Sequence, residues 1–217
     1  MRFYFYQTPH WLKSFFGNFI WDAPSSQGDT IYLTFDDGPV PEATPYVLEE
    51  LEKHDAKATF FVVGANVEKY PNLTQEIVGS GHAIGNHTFS HRSGWRSSLT
   101  EYLQEVDKCD KILEPYISKT DLKLFRPPYG RIGIRQGKCI SRKYQIVMWS
   151  HLSGDFDGAF RPAESLQALG KAPGGSILVF HDSKKYIHNL KQVLPHFLAM
   201  FKDKGFKFAP LIFPKDD

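Results

Sequence analysis

Two adjacent carboxylates, Asp36 and Asp37, follow the apolar run Ile31-Tyr32-Leu33 and precede Gly38-Pro39, so they stand where a buried strand breaks into a turn. Catalytic side chains of α/β proteins collect at such strand ends. One Asp is enough for ordinary Asp-Gly-Pro turn chemistry; two in one concave site repel each other and call for a nearby cation. His87 and His91 stand four residues apart, and one helical turn would bring both imidazoles within reach of a single metal ion. In a chain with nine histidines such a pair also arises by chance, but Gly85-Asn86 before it and Ser90 within it favour a loop lip over a core face. Asp37, His87 and His91 together make a two-histidine, one-carboxylate set that leaves metal positions open for water and substrate. Asp36 is then free as a base.

Two further groups complete a hydrolytic set. Arg126 precedes Pro127-Pro128, which stiffen the backbone and suit a guanidinium aimed in one direction to clamp a carboxylate. His181 ends the apolar run 176–180. A lone histidine there is more often a hydrogen-bonded core residue, but opposite a metal site the general-acid assignment is the better one. The constellation reads as a metal-dependent hydrolase.

The elements that must position these groups alternate between short β-rich runs and amphipathic helical stretches, the pattern of a parallel sheet with helices outside it. Strands are predicted near Ile31–Thr34, Thr59–Val63, Ala83–Gly85, Lys123–Phe125, Gln145–Trp149, Ile177–Phe180 and Phe206–Ala209. Helices are predicted near Pro45–His54, Asn72–Ser80, Leu99–Ile117, Ile134–Lys143, Pro162–Lys171 and Lys185–Lys202. In the third helix Leu99, Leu103, Val106, Ile112 and Leu113 mark the face to be buried. The turn-rich stretch Ser150–Pro162 reads as a long loop beside the site. Six or seven β/α units give an α/β fold, a small or incomplete barrel in a single domain, and each polar motif lies at the carboxyl end of a strand.

The 217 residues suffice for one sizeable core, and Lys+Arg 26 against Asp+Glu 24 leaves a net charge of +2, no field of the kind nucleic acid requires. Cys109 and Cys139 fall on separate predicted helices without Cys-x-x-Cys spacing, which indicates neither a disulfide framework nor a thiolate metal site. The aromatic N-terminal segment, residues 1–28, is interrupted by Gln7, Pro9, His10, Lys13 and Asn18, so it presents no cleavable signal and no apolar run of membrane length. A helix over Trp11–Phe19, with Leu12, Phe15, Phe16 and Phe19 packed on the barrel's underside, is expected; an interfacial helix touching a membrane surface is the alternative. This reading leaves the compartment undetermined, with a cytoplasmic or membrane-associated location to be considered, and nothing in the sequence indicates an oligomeric state.

Taken in order, Thr34–Pro39, His87–His91, Arg126–Gly130 and Val179–His181 resemble the motifs of the polysaccharide deacetylase family, carbohydrate esterase family four, over Ile31 to about Leu190. The resemblance implies a distorted (β/α) barrel of about seven units and a catalytic domain over 29–217. It further implies a divalent metal, usually zinc, held by Asp37, His87 and His91, with Asp36 as the base that activates water. Arg126 would hold Asp36, the Tyr129 backbone N–H would donate to the oxyanion, and His181 would protonate the departing amine. The fifth motif, Leu-x-His in the family, has Val179 at its first position, a change in the apolar wall alone, and the fourth departs from the family's Asp-x-x-Asp-Trp: Leu152 replaces the first Asp and Phe156 the aromatic. Asp155 is the nearest carboxylate to orient His181, with Asp157 as the alternative if the loop folds otherwise.

The implied activity is removal of N-acetyl groups from N-acetylhexosamine units of an oligo- or polysaccharide, an acetylated glycan. The alternatives are a deformylase or deacylase of a lipid-linked or soluble amino sugar, and a non-catalytic carbohydrate-binding protein. Trp95, Tyr129 and Phe156 are the aromatic candidates for sugar stacking.

Overall fold

The structure, a computed structural model, describes residues 4–23, 28–118 and 122–213. Eight strands occur in it: β1 (Thr30–Asp36), β2 (Ala58–Val62), β3 (Ala83–Asn86), β4 (Lys123–Phe125), β5 (Tyr144–Ile146), β6 (His151–Leu152), β7 (Ile177–His181) and β8 (Lys207–Phe208). They form one sheet in the order β5-β4-β3-β2-β1-β7-β6, every ladder parallel, with β8 joining the lower end of β1. The helices α1 (His10–Phe15), α2 (Thr44–Lys53), α3 (Gly64–Lys69), α4 (Pro71–Gly79), α5 (Leu99–Leu113), α6 (Ile134–Ile140), α7 (Pro162–Leu169) and α8 (Ile187–Asp203) surround it. This is the distorted (β/α) barrel, open between β5 and β6, and it is a single domain.

The two-residue period of a strand decides which side chains face the barrel axis. Along β1, Ile31, Leu33 and Phe35 face the helices and join one continuous core with Val47, Leu51, Leu194 and Phe197. Tyr32, Thr34 and Asp36 face the axis. Tyr32 packs there with Phe61, Leu124, Val147, Ile177 and Leu211, so the barrel is plugged by apolar side chains below while its polar residues collect at the upper rim. Helix α8 buries Leu190, Val193, Leu194, Phe197, Leu198 and Phe201, a regular helical stripe, against that sheet face.

Several expectations shift in detail. The buried face of α5 is Tyr102, Val106, Cys109 and Leu113, spaced four, three and four residues; Leu99, at its first position, is 37% exposed. Ser98 and Glu101 form a capping box that starts this helix, and Pro115 ends its α-helical run in a 3-10 turn over Glu114–Tyr116. The expected loop 150–162 contains β6, and α3 is an additional helix that no periodicity announced. Both cysteines are free.

The N-terminal segment does more than underlie the barrel. Helix α1 is shorter than the expected Trp11–Phe19; Leu12, Phe16 and Phe19 pack on the cluster containing Trp21, Ile140 and Tyr144, while the Phe15 side chain lies outside the described residues. On either side of α1 the chain runs along the open seam: Gln7 bridges His151 of β6, and Ile20 bridges Val147 just beyond β5. Phe5 and Trp11 face solvent. Among the described residues, no helix is long and apolar enough to cross a membrane.

Candidate active site

Asp36, at the end of β1, is buried and inward-facing, and the fully buried Arg126 supplies its counter-charge. Arg126 Nη1 donates to Asp36 Oδ1 at 2.8 Å and to Thr34 Oγ1 at 2.6 Å, while Nε and Nη2 donate to the carbonyls of Val147 and Met148 at 3.2 and 2.8 Å. Its guanidinium lies 4.1 Å from the centre of the Phe61 ring. Each of its three nitrogens thus has at least one acceptor, which is how a buried cation is tolerated. Because Oδ1 is spent on Arg126, Oδ2 is the oxygen that faces the site, 4.0 Å from His87 Nε2.

His87 and His91 share a side, though not through a helical turn as the spacing suggested. They lie on a loop after β3 in which Thr88 and His91 take positive φ, 64° and 57°. That loop is tied on both flanks. The Asn86 side chain accepts from Thr88 N, Gly64 N and Ala65 N of α3 donate to the Thr88 and Phe89 carbonyls, and Glu105 of α5 accepts from Ser90 N and Oγ. His87 Nδ1 donates to the Arg126 carbonyl at 2.8 Å, which fixes the tautomer and leaves the Nε2 lone pair turned toward Asp37, 3.8 Å away. His91 Nε2 lies 3.0 Å from Asp37 Oδ1.

The ligand atoms of Asp37, His87 and His91 all lie within 4.8 Å of one another, the spread one metal ion would draw together. Burial pushes the Asp37 carboxyl up, but the His91 hydrogen bond and the His181 charge outweigh it and hold the group below the usual carboxylate range. Burial lowers His87 to about 4, against the pull of Asp36, so this imidazole is neutral and available as a ligand.

Asp37 itself has φ 83° and is held through its carbonyl by Asn66 Nδ2 at 2.8 Å. Next to it, Gly38 N donates to the fully buried Asp182, whose other oxygen accepts from Thr44 Oγ1 at 2.6 Å. Gly38 is obligatory: a Cβ there would sit 2.0 Å from Asp182 Oδ2. Burial and the nearby Asp37 charge raise the Asp182 carboxyl to about 8. Four of the five described non-glycine residues with positive φ, Asp37, Thr88, His91 and Tyr129, belong to this rim, the concentration of backbone strain expected where function overrides comfort.

His181 ends β7, and its Cα is the register partner of Asp36. The loop after β6 folds back over it. Asp155, fully buried, accepts from His181 Nδ1 at 2.7 Å and from His181 N at 2.8 Å. Asp157 is turned away and accepts from Ala159 N instead. Burial lowers the His181 imidazole, yet the charge and hydrogen bond of Asp155, followed by the Asp37 and Asp36 charges, carry it up to about 9. It therefore stands protonated at neutral pH, with Nε2 as its outward group.

Tyr129, after Arg126 and the two prolines, has φ 61°, and among the described residues nothing accepts from its backbone N–H. The residue is 58% exposed, and its ring lies 4.6 Å from the His91 ring. Trp95 is 69% exposed, with its indole N–H anchored on the Ile132 carbonyl and the Arg131 guanidinium between the two rings. Phe156 is less accessible and packs edge-on against His181. Sequence reasoning gave no role to Thr34, Asn66 or Asp182; the first opens a quoted motif and the last directly follows one, whereas Asn66 carries no local signal.

The comparisons with known proteins point the same way. The polysaccharide deacetylase family model matches residues 23–142. A peptidoglycan-N-acetylglucosamine deacetylase of Bacillus cereus is 36% identical over 183 residues, 83% of this chain and 66% of that protein. A chitooligosaccharide deacetylase of Azorhizobium caulinodans is 34% identical over 154 residues, 70% of this chain and 73% of that protein. Among solved structures, a peptidoglycan N-acetylglucosamine deacetylase in complex with 4-naphthalen-1-yl-N-oxidanyl-benzamide matches with TM-score 0.82 at 32% identity, covering 94% of this chain and 95% of that one. On the family match, these identities and the shared fold, the chain belongs to the polysaccharide deacetylase family.

Proposed function

We propose that the protein hydrolyses the N-acetyl groups of N-acetylhexosamine units in an oligo- or polysaccharide, with zinc as the resident ion. As a family member it is a hydrolase of carbon–nitrogen bonds other than peptide bonds, acting on an acetylated glycan. One observation carries the mechanistic reading: the three converging ligand atoms of Asp37, His87 and His91 lie between an Arg126-clamped carboxylate and an Asp155-clamped imidazole.

The donor set fits a divalent cation, since His87 presents a fixed lone pair and Asp37 is held ionised; two imidazoles and one carboxylate suit zinc in particular. A cation bound there polarises the acetyl carbonyl and lowers the pKa of water. Asp36 Oδ2, the oxygen Arg126 leaves free, takes the proton of the attacking water. The Tyr129 N–H donates to the oxyanion as the carbonyl carbon becomes tetrahedral, a contribution of about 3 kcal/mol for one such donor. His181 Nε2 then gives its proton to the amide nitrogen as the C–N bond breaks, releasing acetate and a free amino sugar. Asp155 holds the imidazole for that transfer. The exposed Trp95–Arg131–Tyr129 wall beside His91 offers sugar rings a stacking face.

The test is acetate release from chitooligosaccharides and from peptidoglycan, before and after chelation with dipicolinate and readdition of zinc. Activity lost on chelation and restored by zinc supports the reading; amide hydrolysis indifferent to both sinks it. N-formyl and N-acetyl glucosamine derivatives compared side by side separate a deformylase, and absence of any acyl release identifies a binding protein.

A further inference from the structure

The carboxylate that orients His181 sits on the loop after β6, and the N-terminal arm covers that loop. Tyr6 O accepts from Leu152 N at 2.8 Å and Thr8 N donates to Ser150 O at 2.8 Å, so residues 6–8 run as an extra antiparallel edge along β6. This pairing delivers two rings to one place. Tyr4 and Tyr6 meet edge-on with centroids 5.4 Å apart and their hydroxyls joined, and the Tyr4 ring lies 5.0 Å from Phe156, whose ring lies 5.2 Å from His181.

Between them is Gly154, φ 76°, the residue at which the loop reverses to send Asp155 inward. A Cβ on Gly154 would stand 2.6 Å from Tyr4 Oη and 3.0 Å from Tyr6 Cε1; the two tyrosines rest directly on its backbone. From the inner side the loop is held by polar contacts: Asn189 Nδ2 donates to the Asp155 and Asp157 carbonyls, and Ser153 N donates to Val179 O. The aromatic cover on the outer side excludes water from the Asp155–His181 pair, and a charge pair shielded from water couples several times more strongly than one in contact with it.

From this geometry we infer that Tyr4 and Tyr6 are positioning residues for the proton donor: acting through Gly154 and Phe156, they keep Asp155 seated on His181 Nδ1. The inference rests on the proposed role of His181 and adds the arm that makes the role possible. Neither tyrosine touches substrate in this scheme. Their removal therefore weakens the step that needs a proton on the leaving group and spares one that does not.

The experiment compares wild type, the double variant Tyr4→Ala/Tyr6→Ala, and Tyr4→Phe/Tyr6→Phe on two substrates. One is an N-acetylglucosamine oligomer, whose amine leaves only when protonated; the other is 4-nitrophenyl acetate, whose phenolate leaves unaided. The alanine pair is expected to lose about tenfold on the amide, a part of the 10²–10⁴ that a general acid supplies, and to stay within about twofold on the ester. The phenylalanine pair retains the rings and is expected to restore the amide rate. In parallel, the downfield proton NMR signal of the His181 Nδ1–H, assigned by its loss in His181→Asn, is expected in wild type and lost in the alanine pair. An unchanged amide-to-ester ratio, or a signal unaltered by removing both rings, overturns the inference. Should wild type release no acetate from any substrate, the proposed function fails while the NMR signal still decides the role of the arm. Circular dichroism reports folding, and Tyr4→Ala alone, a half-buried ring, carries the test if the pair does not fold.

Discussion

Replacing Asp155 with Asn removes the whole unit negative charge and leaves the volume nearly intact, so its consequence can be worked out closely. The carboxylate accepts two N–H groups in a fully buried position, His181 N at 2.8 Å and His181 Nδ1 at 2.7 Å. An amide has one acceptor oxygen and one NH2, so one of those two donors must face another donor. If Nδ1 is the loser, the imidazole adopts the other tautomer and the protonated acid is no longer supported. Charge acts in the same direction. Burial alone lowers the imidazole, and Asp155 is the largest of the influences that carry it to about 9; a bound cation offsets the Asp37 and Asp36 charges that supply the rest. Without Asp155, burial opposes the proton with its main counterweight gone, so the imidazole moves down and its protonated fraction at neutral pH falls. The combined expectation is a fall in kcat of about 10²–10³-fold on an N-acetyl oligosaccharide, with KM within about twofold. The pH dependence has a definite sign: the acid works below its folded pKa, which Asp155 holds above the ordinary imidazole value, so the wild-type amide rate declines on the alkaline side, and in the variant that decline moves to lower pH. Initial rates of acetate release from pH 5.5 to 9.5 measure both. A variant with wild-type kcat and an unmoved alkaline limb would refute the assignment of His181 as proton donor.

Arg126→Met leaves the Asp36 carboxylate buried without its counter-ion and should cost about 3–5 kcal/mol, read as a fall in the thermal midpoint of about 10 °C. Zinc added to chelator-treated protein should raise that midpoint in proportion to the logarithm of free zinc, and His87→Gln should abolish the rise. Trp95→Ala should raise KM about two- to tenfold on chitooligosaccharides, the worth of one aromatic stacking contact, while leaving kcat and the thermal midpoint near wild type. Gly38→Ala forces a Cβ to within 2.0 Å of Asp182 Oδ2, and isothermal titration should show weakened zinc binding as the adjoining Asp37 is displaced; unaltered affinity would mean the turn is more compliant than its packing indicates.

Much of the site could be read from the chain because parallel strands share one rim. Once Asp36 and His181 are each recognised as strand-ending polar residues, the β/α topology confines them to the same face, and the register of β1 on β7 then sets them opposite each other. Period-two alternation does the rest for Asp36, turning it with Thr34 toward the axis where Arg126 arrives from a position 90 residues away. Loops obey no such rule. The four-residue spacing of His87 and His91 suggested a helical turn, but the loop takes positive φ at Thr88 and His91, and the Glu105 and α3 contacts that tie it come from elsewhere in the sequence. Likewise α3 has Val67 as its one buried large apolar side chain and so shows no stripe, and two-residue β6 is too short to alternate. The choice between Asp155 and Asp157 depended on a single backbone reversal: Gly154 at φ 76° sends the first carboxylate inward to His181 and leaves the second to cap its own turn. A glycine immediately before Asp155 was visible all along, and its value as a signal becomes clear once its neighbour is known. Where a family's orienting carboxylate is displaced, the acidic residue that follows a glycine able to reverse the chain is the better candidate than one two positions further on.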